Sequence, residues 1–190
     1  MRIGLVAEDE RDCVVYGELA RKIRTDLEIV HQIPCHGLGN LKKSFIGYLK
    51  YFEYSVEGIQ KAMVIRDSDC KDTVRCEKEL EQILEESRFT ASFPVHFHAT
   101  KCEVETWLLA DEAAVNLVAQ SRGKIGRAKP VNIQFESYRN AKELFSKMLS
   151  QARLPDDPLV YQLVAEAADI DKIATRCPDF KQFSSKIHAC

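Results

Sequence analysis

Apolar and polar positions along the first hundred residues follow two alternating periods. Residues 3–7 (IGLVA), 28–33 (EIVHQI), 62–65 (AMVI) and 93–99 (FPVHFHA) are short apolar-rich runs of strand length. Between them the period lengthens to that of a helix. In 12–26, Val15, Leu19 and Ile23 share a face, and Asp12 stands where an N-cap is expected. From 41 to 57, Leu41, Phe45, Leu49 and Phe52 make a second apolar face. In 75–88, Leu80, Ile83 and Leu84 make a third, on an otherwise charged helix. The Pro- and Gly-bearing segment 34–40 (PCHGLGN) reads as a loop. Strands alternating with helices predict an α/β fold, a parallel sheet of about four strands joined by right-handed crossovers and flanked by helices. The strands are nearly continuous in apolar character, as expected where both faces of a sheet are buried.

Beyond residue 100 the strand period disappears. Helical spacing predicts helices over 104–120, 138–153, 156–168 and 177–187. A basic segment without acids, 121–132 (SRGKIGRAKPVN), separates the first two. The chain thus divides into an α/β core, 1–110, and a helical C-terminal extension, 111–190, packed on that core within a single structural domain. There is no internal repeat and no low-complexity segment.

The chain has 190 residues. A chain of that size buries roughly 70% of its unfolded surface, so folding requires neither a metal nor a disulfide. The formal charge of −2 neither indicates nor excludes a nucleic-acid partner, because a local patch matters more than the sum. No run reaches the roughly 20 apolar residues of a membrane span, so no membrane role is expected. The opening apolar run ends in Glu8 and Asp9 and reads as a strand, not as the core of a signal peptide. With seven cysteines and no CxxC pair, this predicts free thiols in a reducing, cytoplasmic compartment.

Candidate chemistry gathers at the strand ends. In an open parallel sheet, ligands bind outside the carboxyl ends of the strands. Glu8 follows the first strand, Asp67 and Asp69 the third, and Glu103 and Glu105 the fourth. The topology delivers them all to one edge. Two carboxylates about 4 Å apart repel by about 4 kcal/mol at an effective dielectric of about 20. Either one of them takes up a proton or a cation sits between them. All-oxygen ligands suit Mg²⁺ or Mn²⁺. Glu8, Asp67, Asp69 and Glu105 are therefore the candidate metal ligands and catalytic residues. For Asp67 and Asp69 alone a second reading stays open, since Asp at a strand end also forms turns and caps the next helix.

The segments LVAEDERD, VIRDSDC and EVETWLLAD together resemble a TOPRIM domain, which places a Glu after its first strand and a DxD after its third. The chain most resembles small bacterial TOPRIM-like proteins related to the overcoming-lysogenization-defect nucleases. These carry a Glu-x-Trp element, here Glu105-Thr106-Trp107, and a Cys-x-x-Phe element, here Cys177-Pro178-Asp179-Phe180. The resemblance implies a Mg²⁺-dependent nuclease acting on DNA or RNA. It also implies a role in bacterial defence against phage and an ABC-type or AAA-type ATPase partner. One departure stands out: where the family often has Gly after its glutamate, this chain has Asp9.

A phosphodiester substrate needs cations. Arg122, Lys124, Arg127 and Lys129, in a flexible loop without acids, are the candidate nucleic-acid contacts; a plain solvated loop is the alternative. Lys71 and Lys101, beside the acidic edge, read as transition-state contacts or as surface lysines. His96 and His98 share a strand face and read as core or edge histidines. The segment HGLGN (36–40) lacks the Gly-Lys-Ser/Thr ending of a phosphate-binding P-loop. Trp107, Phe180 and Phe183 read as core. Two functional alternatives remain open here. One is a non-catalytic or partner-inhibited subunit of an ATPase complex. The other is a DxD glycosyltransferase. A haloacid-dehalogenase phosphatase fits poorly, because its DxD follows the first strand.

Overall fold

The computed structural model describes residues 1–189. Four strands form one sheet: β1 (Arg2–Ala7), β2 (Glu28–Pro34), β3 (Lys61–Asp67) and β4 (Val95–Thr100). All three pairings are parallel and the order is β2-β1-β3-β4. Helices α1 (Glu10–Ile23), α2 (Leu38–Ser55) and α3 (Thr73–Glu86) connect them. Helices α4 (Glu105–Leu109), α5 (Glu112–Ser121), α6 (Ala141–Gln151), α7 (Pro158–Ala167), α8 (Ile170–Arg176) and α9 (Pro178–His188) follow. The α/β parallel sheet flanked by helices is the architecture that the two periods predict. Among the described residues, no helix is long and apolar enough to cross a membrane.

Strand alternation sends side chains to two separate cores. Ile3, Leu5, Met63 and Ile65 face one side, where they meet Val15, Tyr16 and Leu19 of α1 and the apolar faces of the C-terminal helices. Val6, Ala62, Val64 and Phe97 face the other, against Leu41, Phe45, Leu49 and Phe52 of α2 and Leu80 of α3. Gly4 makes the second contact possible: a Cβ there would stand 2.5 Å from the Phe52 ring. From β1 the chain crosses over one face to β2, then over the other face to β3 on the far side of β1. The strand order therefore reverses between β1 and β3, and such a switch point is where open α/β sheets bind ligands.

Several boundaries differ from the sequence expectation. The helix expected over 104–120 is two helices, broken at Asp111. Its carboxylate accepts from the amide of Asp169 (2.8 Å) and from Lys172 Nζ (2.8 Å), an anchor a continuous helix would not offer. Helix α8 was not foreseen; Asp169 caps it through the amides of Asp171 and Lys172. Of the seven residues expected as a loop at 34–40, Pro34 ends β2 and the last three, 38–40, belong to the first turn of α2. The N-cap of α1 is Asp9, not Asp12: Asp12 is the third helical residue, and the two exchange side-chain-to-amide hydrogen bonds of 3.1 Å each.

The sheet edge at β4 is covered by side chains. Glu77 of α3 accepts from the Ala99 amide (3.0 Å), and Lys186 of α9 donates to the Phe97 carbonyl (2.7 Å). The two are themselves ion-paired at 2.6 Å. Lys61, buried at the start of β3, donates to the carbonyls of Lys186, Ile187 (3.3 Å) and Ala189, where α9 ends. A cation at that end of a helix complements its dipole.

Candidate functional site

Glu8 is the first residue after β1, and its Oε1 accepts a hydrogen bond from the Asp67 amide at 3.1 Å. Acids 59 positions apart in sequence thus meet at the switch point. Asp67 ends β3, and its Oδ1 accepts from the Tyr16 hydroxyl at 3.2 Å. The same hydroxyl bonds Thr100 Oγ1 at 2.7 Å, so a phenol buried on α1 fixes the Asp67 carboxylate against the end of β4. Asp69 points outward instead. Its backbone is left-handed (φ 50°), and its exposed carboxylate pairs with Lys71 Nζ at 3.2 Å. Glu105 opens α4; it is buried, and its Oε1 accepts from the Tyr161 hydroxyl at 3.3 Å.

Sequence reasoning missed Asp12 as a member of this site. It is buried, and its charge acts on both Asp67 and Tyr16. Burial, and then Asp9, Glu105 and Glu8, raise its carboxyl well above the usual range. Asp67 is raised well above its usual range by burial and then by Asp12, Glu105 and Glu8. Burial raises Glu105 to about 7. Glu8 is raised by burial, against the Asp67 amide and the Arg66 charge, with Asp69 and Asp9 adding to the rise. The site is graded in depth. Asp12 and Glu105 are buried, Asp67, Glu8, Asp9 and Glu103 are half-buried, and Asp69 is exposed.

Lys142 of α6 faces this excess of acid. Its Nζ lies 3.5 Å from Asp9 Oδ2, and its amide donates to Glu103 Oε2 at 2.9 Å. Burial works against its charge, but Glu105, Asp9 and Asp12 outweigh that and raise its pKa. Asp9, which stands where the resembled family often has Gly, thus both caps α1 and holds Lys142 at the rim.

The turns after β3 and β4 are sewn together. The Ser68 amide donates to the Thr100 carbonyl (2.9 Å), the Asp69 amide to the Cys102 carbonyl (3.1 Å), and the Cys102 amide to Ser68 Oγ (3.1 Å). Cys70 and Cys102 form a disulfide. This corrects the expectation that every cysteine is a free thiol. The β3–β4 register sets Asp67 opposite Thr100, and the following turns place the two cysteine Cα atoms 3.8 Å apart. A separation of 32 residues carries no sign of that. Cys13, Cys35, Cys76 and Cys177 are buried thiols, as expected of small apolar side chains; Cys190 lies outside the described residues.

The Glu-x-Trp and Cys-x-x-Phe elements pack on each other. The Trp107 and Phe180 rings stand edge to face, 5.0 Å apart. Trp107 Nε1 donates to Asp179 Oδ2 (3.1 Å), and Cys177 Sγ lies 3.6 Å from the Thr106 carbonyl. Their role here is to hold α4, and with it Glu105, in place. His98 is fully buried between Trp107 and Phe183; among the described residues neither ring nitrogen has a hydrogen bond, and burial, then the Lys186 charge, push its pKa down to about 3. It is a core residue.

Arg122, Lys124, Arg127 and Lys129 follow α5 in a segment without helix or strand. Lys124 and Arg127 line a groove of about 570 Å³ along α5. The segment is pinned: Asn116 bonds both the amide (2.8 Å) and the carbonyl (3.1 Å) of Ala128. A Cβ on Gly126 would stand 2.4 Å from the Gln151 carbonyl oxygen, so the backbone there lies directly on the end of α6. Among the described residues, none of the four cations forms an ion pair with the acidic rim.

The donor set is all carboxylate, which suits a hard divalent ion, and an ion there would relieve the mutual repulsion that raises these acids. The side chains are not arranged as a ready cage. Among the described residues, no three His, Cys, Asp or Glu side chains are grouped to hold a metal. Glu8 accepts from the Asp67 amide through Oε1 and Asp69 is paired with Lys71 through Oδ2; each carboxylate keeps its other oxygen for an ion.

Comparison with known proteins adds one likeness. No family model matches the chain, and no curated protein matches it. Among solved structures, it is similar to the C-terminal region of the OLD protein of Xanthomonas campestris pv. campestris. The identity is 11%, the TM-score 0.44, and 98% of each chain is covered.

Proposed function

We propose that the acidic rim is the site of a divalent-cation-dependent phosphodiester hydrolase, a TOPRIM-like nuclease acting on DNA or RNA. The observation that carries this reading is the contact of Glu8 with the Asp67 amide at the switch point, with Asp12 and Glu105 in electrostatic reach. Glu8, Asp67 and Asp69 would hold Mg²⁺ or Mn²⁺, with Glu105 and Asp12 available to a second ion. When bound, the ion would supply Lewis-acid polarisation of the phosphate and would lower the pKa of a bound water. Tyr16 and Thr100 keep the Asp67 carboxylate aimed at the rim. Where no second ion is bound, Glu105, raised to about 7 by burial, would accept or return a proton near neutrality. Lys71, beside Asp69, offers positive charge to the phosphate oxygens.

A second reading is a subunit that stays silent until an ATPase partner rearranges it. The ungrouped carboxylates favour it; the ATPase and the role in defence against phage come from the resemblance alone. The test is cleavage of labelled DNA and RNA by the purified chain with Mg²⁺ or Mn²⁺. Activity that Asp67→Asn reduces to background is the expected outcome. Equal activity in that variant rejects the hydrolase site, and a folded chain inactive under every metal condition counts against autonomous hydrolysis and for the partner-dependent reading.

A further inference from the structure

Beside the acidic rim lies a groove of about 640 Å³ between α2, the end of β3 and the start of α3. Lys42, Arg66, Lys71, Arg75 and Lys78 line it. Its two acids are already engaged. Asp72 accepts from the Arg75 amide (2.8 Å) as the cap of α3, and Glu79 is paired with Lys42 and with Arg66 (2.9 Å). Arg75 and Lys78 are exposed and make no ion pair among the described residues. Leu38, in the first turn of α2, also lines the groove. No side chain caps that helix, and the amides of Leu38 and Gly39 have no acceptor among the described residues.

Two cations join this groove to the site. Lys71 lines it and pairs with Asp69 at 3.2 Å. Arg66 lines it, donates to the Asp67 carbonyl (3.1 Å), and lowers the pKa of Glu8 through its charge. Among the described residues, the cations of the pinned segment 122–129 make no ion pair with the rim.

We propose that this groove seats the sugar–phosphate backbone of a nucleic-acid strand and leads it to the acidic rim. The proposal deepens the hydrolase reading and rests on it for the rim's role. Five cations face two acids in the groove, and although Lys42, Arg66 and Lys71 are ion-paired, Arg75 and Lys78 carry charge that no ion pair among the described residues offsets, which fits a polyanion. An acidic protein surface would satisfy the same charge, but would have no reason to lie across a carboxylate cluster. A phosphodiester does, because the reacting phosphate must bridge from cations to the ligands of a metal. Contacts of this kind read no sequence and are strongly salt-dependent.

The test measures binding without metal, so that it does not depend on cleavage. Fluorescein-labelled DNA and RNA oligonucleotides of one sequence, and the DNA duplex, are titrated with the full chain in EDTA across a salt series. Arg75→Gln/Lys78→Gln changes two exposed side chains that make no ion pair among the described residues, and circular dichroism checks its fold. Its affinity is expected to fall about tenfold or more, with the duplex salt slope reduced by about two. Equal losses on DNA and RNA indicate recognition of phosphates alone, and a loss on one names the strand it takes. Unchanged affinity and slope overturn the proposal. So does a loss that appears in Lys124→Gln/Arg127→Gln instead, or an unaltered chain that binds none of the three probes. If the chain binds through the groove yet never cleaves with Mg²⁺ or Mn²⁺, the groove stands and the hydrolase reading falls. If Asp67→Asn binds normally and does not cleave, both stand.

Discussion

Asp12, Asp67 and Glu105 sit where ionising any one opposes the other two. The consequence for stability follows from the direction of the shifts. Each acid titrates higher in the folded chain than in the unfolded one, so the protonated folded form is favoured. For Glu105 the two values are 4.5 and about 7. Its contribution is fully present below 4.5 and lost as pH rises through that window to about 7. At about 1.4 kcal/mol per unit, the loss is about 3 kcal/mol. Thermal unfolding without metal should therefore show a falling Tm between pH 5 and pH 8, and Mn²⁺ should restore Tm at pH 8 far more than at pH 5. A flat profile would mean that these carboxylates are solvated. Tyr16→Phe removes the hydroxyl that aims Asp67 and should weaken Mn²⁺ binding about 10- to 100-fold by calorimetry, with little change in fold. Glu8, Asp67, Asp69, Glu103 and Glu105 were legible in the sequence because each lies at or soon after the end of a strand. Asp12 was not, although its signal was present: Asp9 and Asp12 are spaced as a capping pair, which turns residue 12 back toward the strand end.

At the scale of elements, the two turns that carry the rim depend on each other. Hydrogen bonds between residues 68–69 and 100–102 and the Cys70–Cys102 bridge fix the distance between the Asp67–Asp69 turn and the Glu103–Glu105 segment. Closing a loop of 32 residues stabilises by about 3–4 kcal/mol on the chain-entropy account. Cys70→Ser/Cys102→Ser should lower the denaturation midpoint accordingly, and reductant should do the same to the unaltered chain but not to the variant. If reductant leaves both midpoints alike, the bridge contributes nothing in solution. Helix positions were well marked where an apolar face repeats, as in α2, whose Leu41, Phe45, Leu49 and Phe52 are all fully buried. They were poorly marked where a helix depends on a distant partner. The break at Asp111 and the start of α8 are both set by the Asp111–Asp169 contact.

In the whole molecule, the C-terminal helices complete the sheet. Ile3, Leu5, Met63 and Ile65 share one core with α1 and with Val160, Val164, Phe180 and Phe183. A fragment of residues 1–110 would expose that face, together with the β4 edge that Lys186 covers, and an uncovered edge strand invites pairing with other chains. The fragment should be aggregated or protease-sensitive, whereas the full chain resists limited proteolysis. A soluble, cooperatively unfolding fragment would show that the extension is dispensable.

The periods of apolar residues determined strands, helices and their alternation, and with them a parallel sheet with acids beyond its strand ends. Those are local properties, written within one element at a time. The tertiary structure alone decided the strand order that makes β1 and β3 neighbours across a switch point. It also decided that Asp67 turns inward while Asp69 turns outward, that Cys70 meets Cys102, and that cations from α2, β3 and α3 line one groove. Each of these depends on which distant segments lie side by side, and no spacing within a single segment encodes that.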